Sequence, residues 1–86
     1  RPIGLDTMLR QREGAFSHLT GSAETIDFAY PGGHLYIHRG AQAAVVFVAD
    51  TAEFRVRDLP GDLDDAVRIA LVRRFVEVGF LDVADG

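Results

Sequence analysis

Two histidines that stand four positions apart, His34 and His38, form the pair with the clearest chemical potential in this sequence. On a helix they would share one face and could clamp a metal ion. The residues around them alternate between apolar and polar, which predicts a strand, and there four residues span about 13 Å. Two imidazoles that far apart do not ligate one ion. We therefore interpret both as surface histidines and expect no measurable metal affinity.

The other side chains that could do chemistry form no catalytic arrangement. No histidine is followed two positions later by Asp or Glu, the pairing expected in the facial triad of a non-haem iron oxygenase. Ser17 and His18 are neighbours, so on a strand their side chains point to opposite faces. The chain has no cysteine, which excludes disulfides and thiolate metal sites. We therefore predict no catalytic, cofactor-binding or metal-binding residue in this sequence.

Charged side chains near the C-terminus indicate a helix and a candidate interaction surface. Asp62, Asp64 and Asp65 lack the glycine and glutamate spacing of a calcium loop and suit the start of a helix, where the dipole favours acids. These acids oppose the entry of that helix into a DNA major groove. We interpret the arginines further along it as solvated or interdomain residues. The candidate interaction surface consists of Arg68, Arg73, Arg74 and Tyr36.

Composition restricts the architecture and the partners. The chain has 86 residues, 48% of them hydrophobic, which is enough for one small core. Its net charge is −4, whereas nucleic-acid-binding domains usually carry a basic stripe, so we expect no specific DNA binding. No apolar run reaches the roughly 20 residues of a membrane span, and the start lacks the layout of a signal peptide. We expect a cytoplasmic location and no membrane partner.

A hydrophobic period of two predicts a β-rich first half. Ile26 and Phe28 share one face of their strand, as do Leu35 and Ile37 of the next. Pro31–Gly33 indicates a tight turn between those strands. Three strands joined in this way form an antiparallel meander with one buried face. The predicted strands are 16–20, 24–30 and 34–38.

Helical patterns dominate the second half. Ala and Gln favour a helix over 41–52, although its valines also allow a strand. The helix over 63–78 begins at an aspartate cap, Asp62 or Asp64, and ends at Gly79. Short strands are predicted at 54–56 and 80–83. Between them, residues 58–61 are predicted to form a turn that can contain a single helical turn.

The first residues favour one more helix. Leu5–Glu13 has Asp6 as a candidate N-cap and Gly14 just beyond its end. We predict that 1–14 is a linker or the end of a preceding helical segment, and that 15–86 is the domain. The fold class is α+β and winged-helix-like, with a three-stranded antiparallel meander, two main helices and a short C-terminal strand. The N-terminal residues are typical of a segment cut from a longer chain.

A resemblance to one family rests on the second half. The run Phe54–Gly61, followed by Leu63–Asp65 and then by 71–75 and 79–81, resembles the C-terminal end of bacterial JmjC/cupin-type oxygenases, the relatives of ribosomal-protein hydroxylases. The strands around the Pro-Gly-Gly turn are similar to the same region. The resemblance covers about residues 15–83, and its most specific part is the Asp-Leu-Pro-Gly stretch at 58–61.

That resemblance implies a larger parent protein. In the family, an N-terminal double-stranded β-helix binds Fe(II) and 2-oxoglutarate, a helical segment dimerises, and an acidic winged-helix domain follows. No position here matches the iron or 2-oxoglutarate motifs, so no cofactor is expected in this domain. The expected partners are the preceding domains of a longer chain, a protein or peptide substrate, and, for the parent, a second copy of itself.

Three functions are consistent with these patterns. The first is a non-catalytic accessory domain of a JmjC/cupin-type hydroxylase, used for interdomain packing, assembly or substrate contact. The second is a free-standing winged helix that binds a peptide as an added strand at an exposed meander edge, as leader-peptide recognition domains do. The third, a DNA-binding regulator, is the least favoured because of the acidity.

Overall fold

A computed structural model describes residues 2–84 of the protein. Arg1, which the predicted segment 1–14 includes, and residues 85 and 86 of the predicted domain lie outside the described residues. Within these residues, six strands and two α-helices follow one another along the chain. They are β1 Met8–Gln11, β2 His18–Gly21, β3 Thr25–Tyr30, β4 Gly33–His38, α1 Gln42–Asp50, β5 Glu53–Arg55, α2 Asp65–Glu77 and β6 Leu81–Val83. The predicted α+β class is confirmed.

The meander forms as the alternation predicts. Strands β2, β3 and β4 make one antiparallel sheet in that order. Ile26 pairs with Ile37 and Phe28 pairs with Leu35, and all four side chains are buried. The hairpin between β3 and β4 turns at Pro31 and Gly32, where glycine adopts a φ of 116° that side chains disfavour. Strand β2, the first strand of the meander, begins two residues later than the predicted start at residue 16.

The predicted helix over Leu5–Glu13 is wrong, because this segment contains β1. Strand β1 lies in the middle of a second antiparallel sheet of order β5-β1-β6. Leu9 pairs with Phe54 on one side and with Val83 on the other, and its side chain is fully buried. Partners distant in sequence supply hydrogen bonds on both sides of β1, and these outweigh a weak local helix preference.

Both main helices form near the predicted bounds. Helix α2 begins at the cap Asp64, whose carboxylate accepts a hydrogen bond from the Val67 N–H at 2.9 Å. It ends before Gly79, which has a φ of 82°. The single helical turn expected within 58–61 lies slightly earlier, at Val56–Asp58.

One buried core joins all these elements. Its centre is an aromatic cluster in which Phe28 forms T-shaped contacts with Phe75 and Phe80 at centroid distances of 4.8 and 4.9 Å. Leu9 from β1 and Val45 and Val48 from α1 belong to the same core. The two sheets and two helices therefore pack as one unit, with the outer face of the meander left to solvent.

Candidate functional site

The residues of the predicted interaction surface separate into two groups. Arg68 stabilises a loop of its own chain. Its guanidinium donates hydrogen bonds to the carbonyls of Leu59 at 3.0 Å and Gly61 at 3.1 Å, and also to that of Leu63. Because three carbonyls accept hydrogen bonds from its guanidinium, Arg68 stabilises the segment before α2.

Two of the other predicted residues, Tyr36 and Arg74, meet at β4. Arg74 donates a hydrogen bond to the carbonyl of Tyr36 at 3.3 Å, and this contact joins α2 to the meander. Tyr36 is 61% exposed and lies parallel to the ring of His34, with 6.1 Å between centroids. Arg73 is exposed on α2. The structure therefore brings Arg74 and Tyr36 together and leaves Arg68 in a separate role.

The two histidines of β4 have different partners. His34 Nδ1 lies 2.8 Å from a carboxylate oxygen of Asp27 on β3. His38 Nδ1 accepts a hydrogen bond from the Gly40 N–H at 2.9 Å and so caps the turn that leads into α1. Within residues 2–84, no three acidic, histidine or cysteine side chains cluster closely enough to hold a metal ion.

An open sheet edge lies on the opposite side of the meander, along β2. A two-residue turn follows Tyr30 and closes the hairpin between β3 and β4. Along β3, Tyr30 and every second residue before it therefore form backbone hydrogen bonds with β4, whereas the alternate residues form backbone hydrogen bonds with β2. On β2, the residues that make these backbone hydrogen bonds to β3 are His18 and Thr20. The backbone N–H and C=O groups of Leu19 and Gly21 are thus directed outward, and among residues 2–84 they have no backbone partner.

A groove runs beside this edge, between β2 and α1. Its apolar side consists of Leu19, Ile26 and Val46, and Val46 is 40% exposed. Arg39 and Gln42 are polar lining residues, and the guanidinium of Arg39 lies beside Gly21, at what we call the polar end of the groove. Backbone groups that lack partners therefore stand next to an apolar surface, and this combination suits an added strand with alternating side chains.

Sequence patterns did not identify this groove. Val46 and Leu19 belong to elements that were predicted, but their mutual distance depends on how α1 packs across the meander. A weak signal existed, because Gln42 and Val46 stand four positions apart in a predicted helix and thus share a face. Nothing in the sequence indicated that this face would meet the edge of β2.

A smaller hollow lies where the two sheets meet, lined by Arg12, Tyr30 and Gly79 among others. The guanidinium of Arg12 bonds to the carboxylate of Asp82 at 2.6 Å. This hydrogen bond lowers the pKa of the Asp82 carboxyl below its ordinary value. The positive charge at this hollow is therefore already paired, unlike that of Arg39 at the groove.

No protein-family model matches the sequence, and no curated protein matches it. Function must therefore be inferred from the geometry of the chain itself. Within residues 2–84, no helix is long and apolar enough to cross a membrane.

Proposed function

We propose that this chain is a non-catalytic, polypeptide-binding domain that takes up an extended segment of a partner as an additional strand along β2. One observation carries the proposal: the outward backbone groups of Leu19 and Gly21 lie beside the apolar groove between β2 and α1. Backbone hydrogen bonds would supply part of the affinity, and the groove would select alternate side chains.

The other sheet edges are less suited to this role. On β4, the carbonyl of Tyr36 already accepts a hydrogen bond from Arg74. Strands β5 and β6, the edges of the second sheet, are three residues long each and offer a short ladder. Edge strands are templates for pairing unless they are short or covered. Strand β2, by contrast, lies beside the groove that it forms with α1.

We also propose the wider setting that the resemblance of Phe54–Gly61 implies. The domain would be the accessory C-terminal part of a cytoplasmic JmjC/cupin-type protein hydroxylase, whose N-terminal domain would hold Fe(II) and 2-oxoglutarate. The extended partner would then belong to the substrate protein or to a preceding domain. This setting predicts that the gene also encodes an upstream double-stranded β-helix with a full set of iron ligands; an upstream region of another kind would contradict it.

The strand-addition proposal is tested by titration of the ¹⁵N-labelled domain with a neutral, capped peptide, acetyl-Thr-Asn-Thr-Val-Thr-Asn-Thr-amide. We expect saturable shifts at the amides of Leu19 and Gly21, with a dissociation constant tighter than about 1 mM. N-methylation of the central valine removes one backbone donor and should weaken binding about two- to tenfold. Absence of shifts at these two amides up to a few times that concentration would contradict the proposal.

A matched pair of variants distinguishes the groove from the rest of the surface. Val46→Gln places a polar amide on the apolar side of the groove, and Val67→Gln makes the same change on α2, where Val67 is 44% exposed. Both variants should fold, because both positions are partly exposed. We expect Val46→Gln to weaken peptide binding severalfold and Val67→Gln to leave it unchanged. Equal effects would show that the peptide binds elsewhere.

A further inference from the structure

Arg39 occupies a fixed position at the polar end of the groove. One nitrogen of its guanidinium donates to the carbonyl of Ser22, in the turn that follows β2. Its backbone N–H donates to the carbonyl of Glu24 at 2.9 Å. A Cβ atom added at Gly21 would lie 3.4 Å from the same guanidinium, so the glycine leaves room for the arginine over the end of β2. The cation therefore stands beside the open edge.

The charge of Arg39 has no acidic partner. Within residues 2–84, no carboxylate oxygen lies within 4.0 Å of it, whereas Arg10 and Arg12 are paired with Glu53 and Asp82. The first turn of α1, which begins beside Arg39, also contains no acidic side chain. Arg39 thus places a positive charge without an acidic partner at the groove of a molecule whose net charge is −4.

The spacing along β2 defines which side chain of an added strand meets this cation. Residues directly opposite each other on neighbouring strands share a face, and side chains two positions apart are about 6.6 Å apart on that face. A side chain opposite Leu19 enters the apolar part of the groove. The side chain two positions away lies opposite Gly21 and reaches the guanidinium of Arg39.

We propose that the occupant of the groove is an extended polypeptide segment in which an apolar residue and an Asp or Glu stand two positions apart. This inference rests on the proposed strand addition and specifies its partner. The apolar residue packs on Leu19 and Val46, and the carboxylate forms an ion pair with Arg39. A guanidinium that is held by one hydrogen bond retains further donors for a carboxylate oxygen.

The test compares the neutral peptide with its acidic counterpart, acetyl-Thr-Asp-Thr-Val-Thr-Asp-Thr-amide. In the acidic peptide an Asp stands two positions from the valine on each side, so one carboxylate can reach Arg39 whether the peptide binds parallel or antiparallel to β2. At low salt the acidic peptide should bind about two- to fivefold more tightly, the range expected for an exposed ion pair. The difference should shrink at high salt because the charges are screened.

Variants of Arg39 attribute that preference to one side chain. In Arg39→Gln the acidic and neutral peptides should bind equally, and in Arg39→Lys part of the preference should remain. Heteronuclear spectra confirm that each variant is folded. If the neutral peptide shifts Leu19 and Gly21 but the acidic peptide binds no better, this inference fails and strand addition stands. If neither peptide shifts those amides, strand addition itself is wrong.

Discussion

The arginines of this protein have different physical roles, and the groups that surround each guanidinium determine its role. Arg68 has its donors directed at loop carbonyls, so its charge stabilises the approach to α2. Arg74 contacts one carbonyl of β4. Arg39 keeps a cation beside an open groove. A charge on a helix or turn becomes available to a partner where the fold itself supplies neither a carboxylate nor several carbonyls.

A prediction at the residue scale concerns Phe75, which is fully buried in the aromatic cluster. Phe75→Ala should lower the free energy of unfolding by about 3–5 kcal/mol, because it removes a ring in contact with Phe28 and leaves a cavity. Urea unfolding measures the change through the midpoint. Val67→Ala, at an exposed position on α2, is the control and should change stability by less than about 0.5 kcal/mol. A loss below about 1 kcal/mol for Phe75→Ala would be inconsistent with the observed packing.

At the scale of elements, one side chain links β1 to α1. The amide nitrogen of Gln11 lies within hydrogen-bonding distance of the carbonyls of Val48, Ala49 and Thr51, at 3.0, 3.0 and 3.1 Å. The last carbonyls of a helix have no partner within the helix. Gln11 therefore caps the C-terminal end of α1 from a neighbouring strand, so β1 contributes to the position of α1 and of the groove.

A prediction follows for this cap. Gln11→Met retains most of the side-chain volume but removes the donor, and should lower stability by about 1–2 kcal/mol. Gln11→Glu should lower it more at pH 7, because a carboxylate then faces carbonyl oxygens at the negative end of the helix dipole. Those neighbours raise the pKa of the introduced carboxyl, so the extra loss should disappear as the pH falls and the group becomes protonated.

Thermal or urea unfolding at pH 7 and near pH 4, close to the ordinary pKa of Glu, provides the measurement. The Met variant serves as the uncharged control, since its deficit should not follow the same pH dependence. Equal stability of the Glu and Met variants at both pH values would mean that the position 11 side chain does not face the end of α1 in solution.

On the scale of the whole molecule, charge distribution argues against nucleic acid as a partner. Asp62, Asp64 and Asp65 lie at the start of α2, and Asp64 is the cap of the helix. Arg68, the nearest arginine along that helix, is turned towards loop carbonyls. The end of α2 that a helix-turn-helix protein would place in the major groove is thus acidic.

We accordingly predict no sequence-specific binding to duplex DNA and weak, non-specific binding near physiological salt. The measurement is a salt titration against a random duplex pool, with selection for any enriched sequence. A regulator with 6–10 phosphate contacts would lose about 10³–10⁵ in affinity between 50 and 200 mM salt. Recovery of a consensus site bound at about 10⁻⁸ M or tighter would overturn the polypeptide-binding proposal in favour of a regulator.

Local patterns in the sequence determined the elements whose signals are short-range. The alternation through Ile26 and Phe28 predicted β3, the Pro-Gly turn predicted the hairpin, and an aspartate at 62 or 64 together with Gly79 marked the ends of α2. Each of these signals acts within a few residues: side chains alternate along a strand, and a cap bonds to a backbone group three residues away. Such signals are therefore visible in the sequence alone.

Only the tertiary structure decided the features that depend on distant partners. The segment around Leu9 became a strand because β5 and β6, more than 40 positions away, supply hydrogen bonds on both sides. The groove exists because α1 packs beside the edge of β2, which places Val46 near Leu19, and because the turn before α1 places Arg39 beside Gly21. The sequence specifies these contacts through the packing of the whole core, and no local window contains them.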